Sequence, residues 1–191
     1  MKKLALVAMV MALVMMMSVS ASAQGKMAVS VGPDVMLPMG TFGDGYNIGF
    51  GGTAQFDYSL TPMLALTGKA GYLTWSVKNA PSGISASYGG VPFLVGAKYF
   101  FMPEGKVRAY GHFELGFMFG SFSSSGTAPG FGSYSVSGSS TDFAISPSVG
   151  VDIPAGAKGA IDISARYFMI MTTGNSSGNL GIRAAYKFAI N

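Results

Sequence analysis

From Met27 to Phe188 apolar side chains recur at every second position in eight successive segments, with small or polar residues between them. The segment Val107 to Phe119 shows it best. Val107, Ala109, Gly111, Phe113, Leu115, Phe117 and Phe119 share one parity, and Arg108, Tyr110, His112, Glu114, Gly116 and Met118 share the other. Successive side chains of a strand point to opposite faces, so this period predicts strands with one apolar and one polar face. The other apolar sets begin with Met27, Val29, Val31, Val35 and Leu37, then Ile48, Phe50, Ala54, Phe56 and Tyr58. Leu64, Leu66, Ala70 and Tyr72 form the third, and Val91, Phe93, Val95, Ala97 and Tyr99 the fourth. After the fifth come Phe143, Ile145, Val149 and Val151, then Ile161, Ile163, Ala165 and Tyr167, and last Leu180, Ile182, Ala184, Tyr186 and Phe188.

The connections alternate in length. Those at Ser59 to Met63, Pro103-Glu104-Gly105 and Pro154-Ala155-Gly156 are short, with Pro or Gly supplying the angles of a tight reversal. Longer ones, rich in Gly, Ser, Asn and Thr, lie around 38–47, 78–88, 120–141 and 171–178. The longest, Ser121 to Thr141, reads as a mobile Ser/Gly loop interrupted by Phe122, Phe131 and Tyr134, which either rest on lipopolysaccharide or the barrel rim, the favoured reading, or are loop contacts for a surface ligand.

Composition says which side of these strands is wet. Mean hydropathy is +0.42 and only 10% of residues are charged, too apolar for an ordinary soluble surface. No apolar stretch after residue 23 is long enough for a membrane-spanning helix, and the closed barrel is the other structure that satisfies its backbone inside lipid. The predicted fold is therefore all-β, an eight-stranded antiparallel up-and-down transmembrane β-barrel with its apolar parity facing lipid. Short turns are then periplasmic and long connections external.

The N-terminus agrees with export. Lys2 and Lys3 precede an apolar run from Leu4 to Met17, and Ala21-Ser22-Ala23 offers a small-x-small cleavage site. Residues 1–23 are read as a cleavable signal peptide and 24–191 as a single outer-membrane barrel domain. The formal net charge of +4 owes two charges to Lys2 and Lys3, which leaves too little for nucleic-acid binding. There is no cysteine and thus no disulfide.

Parity sends Asp34, Asp57, Glu114, Asp152 and Asp162 inward against Lys69, Lys98, Arg108, Arg166, Arg183 and Lys187. An eight-stranded barrel has room only for side chains, and buried charges persist when paired, so a salt-bridged lumen without a diffusion path is expected. His112, the only histidine, shares a face with Glu114 and lies among the inward serines 146, 148 and 164. These groups point away from acyl chains, so they read as a structural network rather than a catalytic set. No metal site or cofactor is expected with one histidine and no cysteine. Gly49-Phe50-Gly51-Gly52 lacks the following helix of a phosphate loop, and its glycines are read as relief for strand bending or for large neighbours.

The run Leu37-Pro38-Met39-Gly40-Thr41-Phe42-Gly43-Asp44-Gly45-Tyr46-Asn47-Ile48-Gly49-Phe50-Gly51-Gly52 resembles the first loop and second strand of small outer-membrane β-barrel-domain proteins of the OmpX and OmpA barrel type. The likeness extends through Leu60-Thr61-Pro62 in motif and over the rest in pattern. It implies fold and location, since this family shares no catalytic residues. No peptidoglycan-binding domain is expected after strand eight. Asn191 stands where the family usually ends on an aromatic, although Tyr186 and Phe188 resemble its assembly signal.

The functional expectation is a non-enzymatic envelope or surface-interaction protein of the bacterial outer membrane. Its expected partners are outer-membrane lipid, lipopolysaccharide and, during insertion, the barrel-assembly machinery, and it is expected to be a monomer. The alternatives are a soluble lipocalin-like lipid-binding barrel and a lipid A-modifying barrel enzyme. The lipocalin reading is disfavoured because the polar faces carry Gly, Ala and Ser with few charges, which suits a crowded lumen better than a solvated exterior.

Overall fold

The computed structural model describes residues 27–104, 106–128, 132–156, 159–172 and 174–190, so the proposed leader and Phe131 lie outside the described residues. Eight strands close into one antiparallel barrel in chain order. They are β1 (Met27–Met39), β2 (Gly49–Ser59), β3 (Leu64–Ser76), β4 (Ile84–Phe100), β5 (Arg108–Ala128), β6 (Gly132–Pro154), β7 (Gly159–Thr172) and β8 (Asn175–Ile190). Among the described residues one short helix, α1 (Gly40–Gly45), follows β1. Closure pairs β1 with β8, from Met27 opposite Ile190 to Met39 opposite Gly178, which leaves no free edge in the wall.

Side chains alternate across this wall as the period requires. On β5, Phe113, Leu115 and Phe117 are exposed on the outer face while Glu114 and Met118 are buried within. The outer face is apolar on every strand, from Val31 and Phe50 through Leu66, Val95 and Val149 to Ile163 and Ile182. An apolar exterior around a charged interior is the reverse of a soluble barrel.

Three of the prolines inside strands, Pro33, Pro92 and Pro147, each coincide with a gap in one ladder. Pairing of β1 with β8 skips from Val31–Tyr186 to Asp34–Arg183 at Pro33. That of β3 with β4 skips from Ala70–Phe93 to Leu73–Gly90 at Pro92, and that of β6 with β7 from Ile145–Met169 to Ser148–Arg166 at Pro147. Each proline lacks its N–H toward that neighbour and pairs normally on its other side, with Gly52, Met118 and Phe113 respectively. Register on either side of each gap is unchanged, so the barrel absorbs the loss without a bulge.

The connections differ from expectation at one end. Residues 121–141 were expected as a mobile loop, yet β5 and β6 continue through them as a regular hairpin from Phe119–Thr141 to Ala128–Gly132. β4 joins them from Gly89–Ser121 to Ile84–Gly126, so three strands project as a sheet beyond the barrel. The expected loop at 78–88 is correspondingly shorter, as is that at 171–178, where β7 and β8 pair as far as Thr172–Asn175. Composition misled here. Ser and Gly favour turns when nothing opposes them, but ladder pairing with already aligned neighbours overrides so weak a preference.

Candidate functional site: a layered lumen and a projecting sheet

The lumen is stratified along its axis. At the turn end Ala65, Phe100 and Tyr110 form a small apolar floor. Above it lies the charged layer, then an apolar layer of Met36, Leu73, Trp75, Leu94, Met118, Ala144, Phe168 and Ile170. These apolar residues share the parity of the charges, so one strand supplies both: β3 places Lys69, Leu73 and Trp75 inward in succession.

Asp34, at one limit of the charged layer, forms an ion pair with Arg166, whose Nη2 lies at 2.7 Å, and accepts the Thr53 hydroxyl at 2.7 Å. Arg183 donates through Nε to Thr53 Oγ1 at 2.9 Å and through Nη2 to Ser30 Oγ at 3.1 Å, and its Nη1 lies 3.6 Å from Asp162. Asp162 also takes Lys98 at 3.1 Å and the Tyr110 hydroxyl at 3.0 Å. Lys98 lies 3.5 Å from Asp57, and Lys187 bridges Asp57 and Asp152, both at 2.7 Å. Arg108 closes the series on Asp152 at 3.1 Å; it is the partly exposed member, its guanidinium over the Phe100 ring. Lys69 and Glu114 pair separately at 2.6 Å. All but Arg108 are buried, and at such depth opposite charges and extra hydroxyl donors are what make burial tolerable.

His112 belongs to this layer. Its Nε2 lies 2.8 Å from Thr67 Oγ1 and 3.7 Å from Glu114, whose other oxygen holds Lys69. Ser146 Oγ, though buried, bonds to no protein group, and no nucleophile–base pair of hydrogen-bonding length joins the inward serines to His112 among the described contacts. No cluster of three metal-binding side chains occurs among the described residues.

Sequence reading overlooked the upper stopper. Phe42 and Tyr46, from α1 and its end, stack at 4.4 Å between ring centroids, and Phe42 meets Trp75 edge-on at 5.7 Å and Tyr88 at 6.1 Å. Lys78 anchors α1, its ammonium donating to Gly43 O at 2.5 Å and its amide to Gly45 O at 2.8 Å. Gly49 explains itself here: a Cβ on it would fall inside the Trp75 indole, so the glycine makes room for a large neighbour. The inward parity of Met36, Trp75 and Phe168 was the signal available.

Of the candidate loop contacts, Phe122 and Tyr134 lie on the projecting sheet and share its inner face with Ile84, Tyr88 and Val136. Ile84 and Tyr134 close over Gly126, where a Cβ would sit 3.0 Å from each.

The geometry is matched by comparison with known proteins. The outer membrane protein beta-barrel domain model matches residues 9–188. The chain belongs to that family. This outer-membrane barrel finds no match among curated protein sequences. Among solved structures it is similar to Neisserial surface protein A, with a TM-score of 0.60 at 16% identity, over 86% of this chain and 97% of that one. The attachment invasion locus protein Ail of Yersinia pestis, crystallised with the heparin analogue sucrose octasulfate, gives 0.54 at 16%, over 86% and 99%. The outer membrane protease OmpT of Escherichia coli gives 0.50 at 9%, over 91% and 99%. At such identities the likeness is one of fold, and a fold that includes a protease does not by itself decide activity.

Proposed function

We propose that this outer-membrane barrel is a non-enzymatic envelope protein that meets surface partners through its projecting sheet. The observation that carries the reading is the inner face of that sheet, where Ile84, Tyr88, Phe122, Tyr134 and Val136 gather while the lumen below is filled. Val136 is 58% exposed and Tyr134 39%, which suits a partner better than a bare solvent boundary. Lumen charges of both signs, paired across strands in the charged layer, favour a scaffold over a general diffusion pore. The buried His112–Glu114 pair, held by Thr67 and Lys69, favours the same over a lipid A-modifying enzyme.

In this reading residues 1–23 direct export and are removed before Gln24, the assembly machinery inserts a monomer, and the projecting sheet faces outward among lipopolysaccharide. Cells displaying the wild-type chain should adhere to surfaces coated with host extracellular proteins. A chain with Phe122, Tyr134 and Val136 changed to Ser should insert equally and lose that adhesion. Equal adhesion of the two, or conductance by the purified protein in planar bilayers, would remove the proposal.

A further inference from the structure

The outer face of the projecting sheet has a chemistry the rest of the barrel lacks. Register aligns Ser85 with Ser125 and Ser135, and Ser87 with Ser123 and Ser137, in two rows of three across β4, β5 and β6. Neighbouring strands set these hydroxyls roughly 4.8 Å apart along a row, and the two-residue repeat sets the rows about 6.8 Å apart. Part of this face borders a shallow depression of about 320 Å³. None of the six carries charge, and a hydroxyl both donates and accepts, so the array has no preference for one sign.

Position supplies the occupant. Followed toward the barrel, the same face of the same strands turns apolar, at Val91 on β4, Phe119 and Phe117 on β5 and Phe143 on β6. Those side chains lie against hydrocarbon in an outer-membrane barrel, and the serine rows begin just beyond them. The layer next to hydrocarbon is the headgroup layer of the outer leaflet. Without a Lys or Arg in the rows, phosphates and acidic sugars gain no counter-charge there, whereas uncharged sugar hydroxyls match a hydroxyl array directly.

We infer that the serine rows are a docking surface for uncharged sugar residues of outer-leaflet glycolipid in the protein's own membrane. This deepens the reading of the projecting sheet as an interaction element, using its opposite face. The lipid-facing wall fixes which way the array looks. The strands keep the hydroxyls in register, so several weak hydrogen bonds form together without ordering a loop.

Amide hydrogen exchange of segments 121–128 and 132–140 tests it, with the full chain in nanodiscs of phospholipid alone, with lipopolysaccharide bearing its neutral sugars, and with the same glycolipid cut back to lipid A. We expect exchange about tenfold slower with the sugar-bearing lipid only. Changing all six serines to Ala should abolish the slowing, and changing them to Thr should keep it. Val136→Ala, on the other face and away from the depression, should change nothing, and heat-modifiable gel migration verifies that each variant is folded. Equal slowing with lipid A, or in the six-fold Ala variant, overturns the inference. Slowing that needs only phospholipid and grows with protein concentration assigns the face to a second copy, and slowing by soluble neutral oligosaccharide alone assigns it to an external glycan; either overturns it too. The adhesion assay with Phe122, Tyr134 and Val136 reads the inner face, so the two proposals fail separately.

Discussion

Strands β4, β5 and β6 each pass through two regions, and the polarity of their faces inverts between them. Within the barrel wall, β5 turns Phe113, Leu115, Phe117 and Phe119 outward and His112 and Glu114 inward. Past Gly120 it turns Ser121, Ser123 and Ser125 outward, and Phe122 falls on the inner side. Backbone geometry and register are continuous across the change. Parity thus states only that two faces differ. Which face is apolar depends on whether the outside is lipid or water, and the inversion marks the membrane boundary.

The largest effect expected in either region comes from unpairing a buried charge in the wall. Glu114→Gln leaves Lys69 without its counter-ion at 4% exposure and should destabilise the folded barrel by about 3–5 kcal/mol. Replacing both partners by apolar residues of similar size should recover most of that loss. Urea titration of folding into lipid vesicles measures both, and a double variant as weak as the single one would break the view that pairing is what matters there.

The boundary itself is tested by one substitution at two heights. Phe113→Arg, on the lipid face, should cost roughly 2–4 kcal/mol in the same titration, whereas Ser123→Arg, on the same parity of the same strand, should cost less than about 1 kcal/mol. Equal penalties would erase the distinction between the two regions.

A smaller effect is expected at the stopper between them. Phe42→Ala removes an aromatic neighbour of Trp75 and should lower stability by about 1 kcal/mol. Trp75, the only tryptophan, is fully buried and should pass from resistant to accessible in acrylamide quenching of its fluorescence. Unchanged quenching would mean that the apolar layer below seals the lumen without α1.

Least of all should come from the projecting sheet. Tyr134→Ser, at a position 39% exposed, should move stability by no more than about 0.5 kcal/mol while the strand remains protected from exchange. A large loss of stability would make this sheet part of the structural core.

The sequence by itself determined the strand count and the parity of every wall strand, because a period of two has one geometric meaning and lipid favours one side for apolar residues. Tertiary structure decided the rest. That Asp162 serves Lys98, Arg183 and Tyr110 at once depends on which strands face each other across the lumen, and parity carries no such information. The inward parity of Met36, Leu73, Trp75 and Phe168 was visible, but their convergence on one layer below Phe42 required the stagger of the closed barrel. In sequence, residues 121–141 resemble a loop because Ser and Gly have little strand preference of their own. Their strand state comes from partners already aligned on either side, which only the folded barrel supplies.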